Sequence, residues 1–173
     1  MTFMSFSHTA ALVLAVSACV TDVRSRRIPN VLTFGFAAAA LVFHALDGGV
    51  SGLMMSVGGW LAGVLMMGVP FALGGLGAGD VKLAAALGAW LGPMAAVWIG
   101  LYSGVAGGVM ALAVAVSTGY LRTAWSNISL LLMHWRLAGP TPLDGVTLAT
   151  SGGPRLAYAA PILVGTVVTL WLR

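Results

Sequence analysis

The stretch Thr21-Asp22-Val23-Arg24-Ser25-Arg26-Arg27-Ile28-Pro29-Asn30 separates one apolar run, near residues 3–21, from a second near 31–47. Loops rich in Arg and Lys stay on the cytoplasmic side of a membrane. Its three arginines therefore set the direction of the first crossing, and with it the direction of every later one. Outward from this loop, further apolar segments lie near 52–73, 81–92, 94–118 and 156–172. About 20 apolar residues span a bilayer as a helix, so the chain is expected to be all-α, a polytopic membrane protein of about six transmembrane helices. The fourth segment is short: between Asp80 and the Gly92-Pro93 turn there is room for only about 18 Å of helix. It must thin the membrane, start in a protein-lined recess, or stop short of crossing.

Composition agrees with this reading. Of 173 residues 60% are hydrophobic and only 7% charged, with a mean hydropathy of +1.01, whereas soluble domains carry about 25% charged residues. The net charge of +4 reflects a scarcity of acids, four Asp and no Glu, which argues against a basic nucleic-acid face. The single Cys19 excludes an internal disulfide and a Cys-x-x-Cys zinc site. Val16-Ser17-Ala18-Cys19 has the form of a lipoprotein-processing box, but no Lys or Arg precedes it, so residues 1–18 are expected to remain part of the protein. No long repeat or linker divides the sequence, and residues 1–173 read as one membrane-embedded domain.

Under the six-span reading Arg24, Arg26, Arg27, Lys82, Arg122, Arg136 and Arg155 share the cytoplasmic side, and both termini, with Arg173 and Asp47, fall outside. Residues 120–137 differ from the spans. Leu121, Trp125, Ile128, Leu132 and Trp135 recur at helical spacing beside a face carrying Arg122, Ser126, Ser129 and Arg136, the pattern of an interfacial helix. Gly139-Pro140-Thr141-Pro142 and Ser151-Gly152-Gly153-Pro154 read as turns. Gly59 and Gly63, and Gly100, Gly104 and Gly108, repeat every four residues, a spacing that lets helices approach closely in lipid.

The chemistry rests on two carboxylates. Asp22 ends the first span, and Asp80, in Gly77-Ala78-Gly79-Asp80-Val81-Lys82, follows the third; the hairpin of spans two and three returns both to one side. Charge at the edge of hydrocarbon is expensive, so acids kept there are expected to have a use. Two nearby carboxylates cannot both ionise readily, which supplies one base for water and one acid for a carbonyl oxygen. Such a pair titrates as a unit, and the sequence does not assign its proton. Gly77 and Gly79 could let a substrate backbone pass beside Asp80. The structural alternatives are Asp80 as N-cap of the fourth span and Asp22 as partner of a neighbouring arginine. Lys82 either tunes Asp80 or anchors at headgroups, and Pro29-Asn30 reads as the start of span two. Asp47 and Asp144 sit in Asp-Gly turns. His8, His44 and His134 are scattered, with no Cys pair or Glu to complete a metal site. No metal or other cofactor is expected, and no serine-type arrangement is evident.

These residues resemble the type IV prepilin peptidases, particularly the small form serving tight-adherence (Flp-type) pili. The matching pieces are Asp22 with Arg24, Arg27 and Ile28-Pro29-Asn30; Gly77-Ala78-Gly79-Asp80-Val81-Lys82-Leu83; Ala84-Ala85-Ala86-Leu87-Gly88; and Tyr158-Ala159 to Gly165. The resemblance implies an aspartic endopeptidase of the GxGD type in the bacterial inner membrane, with Asp22 and Asp80 catalytic. It would cut the basic leader from a prepilin's hydrophobic helix at the cytoplasmic face. Larger members carry a four-cysteine zinc motif and N-methylate the new pilin terminus; this chain lacks the cysteines and the length, which implies cleavage without methyl transfer. Ala157 stands where many relatives have Pro. Two other readings use the same residues: a proton- or cation-coupled transporter, whose acids should lie near the bilayer midplane, and a noncatalytic subunit of a secretion or pilus assembly.

Overall fold

The computed structural model describes residues 2–143, 145–147 and 156–172. Asp144, Arg155, Arg173, the N-terminal amine and the turn at 151–154 lie outside them. All regular structure within the described residues is helical: α1 (Thr2–Ser25), α2 (Asn30–Ala72), α3 (Ala78–Leu91), α4 (Pro93–Ser117), α5 (Leu121–Ala138) and α6 (Ala159–Leu172).

Local chemistry sets the boundaries. The first helix closes with Arg26 in the left-handed region at φ 54°, its N–H bonded to the Asp22 carbonyl at 2.8 Å. Pro29 caps α2 in an extended conformation and accepts from the Leu32 and Thr33 N–H groups. It therefore precedes the helix, one position earlier than a first-turn proline. Gly92, at φ 85°, ends α3, and Pro93 opens α4 with the φ that a first helical residue requires.

The 43 residues of α2 form two arms that meet at Gly49, whose φ 55° and ψ −139° are open to glycine and strained for other residues. The arms run in opposite directions along α3. At the start of the first arm Asn30 meets Lys82, and near its end His44 meets the Trp90 carbonyl. In the second arm Ser56 donates to the Ala89 carbonyl at 2.8 Å, while Gly63 lies on Ala84. The chain thus goes out and back along one helix, so the expected hairpin of segments 31–47 and 52–73 is present.

Helix α3 sits at the centre. Leu83, Ala84, Ala85, Ala86, Leu87, Gly88, Ala89 and Trp90 are all buried, and α1, α2, α4 and α6 all touch it. Burial on every side explains its run of small residues. A Cβ on Gly59 or Gly88 would collide with the other's backbone, and one on Gly63 with Ala84 and Ala85, so these glycines set how closely α2 and α3 approach. The α4 stripe differs from the expected Gly100, Gly104 and Gly108. A Cβ on Gly104 or Gly108 would meet nothing within 4 Å. The packed positions are Gly100 against Met66, Ser103 against Gly165 and Gly107 against Tyr158, a spacing of three and four that follows the helical period.

Large apolar side chains cover the outside: Val31 is 86% exposed, Leu46 83% and Trp171 84%. Among the described residues three helices are long and apolar enough to cross a membrane, Phe6–Ser25, Asn30–Ala72 and Pro93–Ser117. An apolar exterior around a core of small residues is the arrangement of a protein solvated by lipid. Helix α5 buries none of its residues and touches only α4 among the described helices.

Candidate active site

Asp22 occupies the last turn of α1 and Asp80 the first turn of α3, and both are buried, at 9% and 8% exposure. They line one cavity of about 470 Å³ together with Arg26, Phe71, Leu76, Gly77, Leu156 and Tyr158. The same two carboxylates also line a second cavity, of about 420 Å³, with Arg26, Arg27, Asn30, Gly79 and Lys82. The pair therefore borders both a mainly neutral chamber and a more cationic one. Asp47 lies away from them at the Gly49 turn, beside His44 and Gly52.

Each carboxylate accepts a backbone N–H. Asp80 Oδ2 takes the Gly77 N–H at 3.1 Å, reaching back to the N-cap from the third helical position, so Gly77 and not Asp80 is the cap residue. For Asp22 the donor is the Ala159 N–H, 3.3 Å from Oδ2 at the start of α6. A carboxylate in the last turn of its own helix faces the negative end of that helix dipole, so a donor from the positive end of another helix offsets an unfavourable position. Burial pushes the Asp80 carboxyl up to about 6; the Gly77 hydrogen bond opposes this, and the charge of Asp22 adds to it. Asp80 precedes the apolar stretch 81–92, and its helix begins inside the cavity.

The glycines of the Asp80 loop divide their work. Positive φ falls on Gly74, at 78°, and not on Gly77 or Gly79. A Cβ on Gly77 would press on Asp80 Oδ2 at 3.3 Å, whereas Gly79 faces the Ile28 side chain in ordinary contact. The Lys82 ammonium donates to Asn30 Oδ1 at 2.9 Å and stands 5.4 Å from the centre of the Phe34 ring. It ties α3 to the start of α2. Among the described residues no three His, Cys, Asp or Glu side chains are grouped as a metal site would require.

Two buried carboxylates, one of them raised toward neutrality by burial, share a cavity with room for an extended peptide segment. That arrangement can activate water and protonate a carbonyl oxygen. The model of the type IV leader peptidase family matches residues 9–112, a stretch that holds both aspartates. The chain belongs to the type IV leader peptidase family. Comparison with curated proteins and with solved structures finds no match. As a leader peptidase, the protein has its matched region in α1 to α4; α5 and α6 lie beyond it.

Tyr158, Ala159 and Phe71 are the site residues that sequence reasoning passed over as lining groups. Arg26 is read from the sequence as a marker of topology and as one possible partner of Asp22, and the structure places it in the lining of both cavities. Tyr158 belongs to the last segment of the resemblance, which was the one available signal. Nothing in the sequence marks the Ala159 N–H, because a backbone donor has no residue signature.

Proposed function

We propose that this leader peptidase is an aspartic endopeptidase that removes the basic leader from Flp-type prepilins at the cytoplasmic face of the bacterial inner membrane, without methyl transfer. The observation that carries the reading is the shared cavity of Asp22 and Asp80. In the working state the pair holds one proton. The ionised carboxylate takes a proton from water as the water oxygen bonds to the scissile carbonyl carbon, and the protonated carboxyl gives its proton to the carbonyl oxygen. The tetrahedral intermediate then collapses. Its C–N bond breaks, the leaving nitrogen takes the proton held by the first carboxylate, and a hydroxyl proton of the intermediate returns to the second.

The two arms of α2 count as two spans in this reading, which with α1, α3, α4 and α6 makes six, and α5 lies along the cytoplasmic interface. Both termini are then outside. A prepilin's hydrophobic helix rests in lipid against the apolar exterior while its cleavage point enters between the two chambers. A transporter would require its acids near the bilayer midplane; here they lie beside the Arg26 and Arg27 loop.

Co-expression with an Flp-type prepilin tests this. The native chain is expected to reduce the prepilin's mass by that of its leader, and Asp22→Asn and Asp80→Asn, each folded and membrane-inserted, are expected to leave it intact. Cleavage retained in both variants would reject the aspartic mechanism. A product methylated at its new terminus by this chain alone would reject the exclusion of methyl transfer.

A further inference from the structure

Helix α6 lies outside the matched family region, yet it contributes the backbone N–H that Asp22 accepts. Ala159 is fully buried, so its N–H is withheld from solvent. The preceding residue is fastened independently: the Tyr158 hydroxyl donates to the Ser103 carbonyl at 3.2 Å, and its ring fills the space that a Cβ on Gly107 would take, at 2.6 Å from Cε2. Farther along, Gly165 lies against Ser103 and Ile99 of α4. α6 is thus docked on α4 by Tyr158 at one end and Gly165 in its middle, and its first N–H meets the Asp22 carboxylate.

We propose that α6 is the positioning element of the catalytic pair: its Ala159 N–H fixes the Asp22 carboxylate in the site, and the Tyr158 anchor keeps that donor in place. This rests on the aspartic-peptidase reading and goes beyond it by naming what holds Asp22, a carboxylate that its own helix places at the unfavourable end.

Proline is tolerated at the first position of a helix, where it removes only an N–H. Ala159→Pro therefore deletes the donor and keeps the helix. Its effect is read on prepilin cleavage by the purified chain in detergent. The kcat is expected to fall about tenfold with KM within about twofold, because a displaced Asp22 impairs the chemical step and leaves peptide binding in place. Tyr158→Phe, which keeps the ring and loses the hydroxyl, should lower kcat in the same way by less. Native kcat in folded Ala159→Pro protein overturns the proposal. If that variant does not fold, native kcat in Tyr158→Phe does so. Failure of the functional reading is separate: it shows as cleavage that survives Asp22→Asn, whatever α6 does.

Discussion

The two aspartates are held by different kinds of structure. Asp80 lies in a locally built site: its own helix begins two residues earlier, its oxygen turns back to the Gly77 N–H, and farther along that helix glycine contacts close α2 on α3. Asp22 sits at the unfavourable end of its own helix and takes its donor from a residue 137 positions away. One carboxylate is fixed by sequence neighbours and the other by the closing of the whole bundle. Damage to the α2–α3 seam should therefore remove the protein, whereas damage to the α4–α6 contact should first loosen one half of the site.

Gly63→Leu tests the first half of that contrast and carries the largest expected effect. A side chain there would overlap the backbone of Ala84 and Ala85, and two packed helices cannot part without exposing the core around Leu83 and Leu87. A loss of about 3 kcal/mol or more is expected, read as failure to recover folded, monodisperse protein from detergent. Recovery of Gly63→Leu with native thermal stability would mean that the seam is not what holds Asp80.

On the α4–α6 side the expected effect is smaller. Gly107→Ala would push on the Tyr158 ring, an edge that can shift, at an expected cost of about 1–3 kcal/mol in thermal unfolding. Gly108→Ala, next along the helix, meets nothing within 4 Å and should leave stability unchanged or raise it by about 1 kcal/mol through helix propensity. Equal effects at the two positions would remove the distinction between packed and open glycines on α4.

That distinction also marks what the sequence could disclose. The membrane class, the arginine loop and the hairpin were legible because each depends on composition or on a local run. Both aspartates were legible for the same reason, each standing at the junction of an apolar run and a basic or glycine-rich loop. The glycine stripe was misplaced in register: a repeat of four suggested Gly100, Gly104 and Gly108, while helix α4 presents Gly100, Ser103 and Gly107 to its neighbours. A repeat identifies a small-residue face but leaves open which partner covers it. Tyr158 and the Ala159 donor were hidden more deeply, since only the packing of α6 on α4 brings them to α1.

The pH dependence singles out Asp80. Asp80 rises from its ordinary 3.8 to about 6 in the folded protein, so the folded state binds the proton more tightly than the unfolded one. The contribution from that proton is fully present below about 3.8 and is lost as pH rises through about 6. Asp80→Asn, which keeps an oxygen for the Gly77 N–H, should therefore unfold at a higher temperature than the native chain at pH 8 and show no such gain at pH 3.5. Native cleavage should likewise fade on an alkaline limb centred near 6, where the pair loses its proton. A gain of stability confined to acid pH would reverse the sign and place the charge cost elsewhere.

Lys82 carries the smallest expected effect and bears on whether the Asp80 region is as self-contained as its contacts suggest. A lysine two residues after Asp80 invites an electrostatic role, but its ammonium is engaged by Asn30 Oδ1 and lies near the Phe34 ring. The lysine is partly exposed, where charge is screened, so its contribution should pass mainly through the tie to α2. Lys82→Ala and Asn30→Ala should each reduce prepilin turnover by less than about threefold, in line with a hydrogen bond near solvent. The double variant should be no worse than either single one, because both remove the same contact. Additive losses, or a fall for Lys82→Ala with a displaced alkaline limb while Asn30→Ala keeps the native limb, would show the ammonium acting on Asp80 directly. The local site would then extend one helical turn beyond the Gly77 cap.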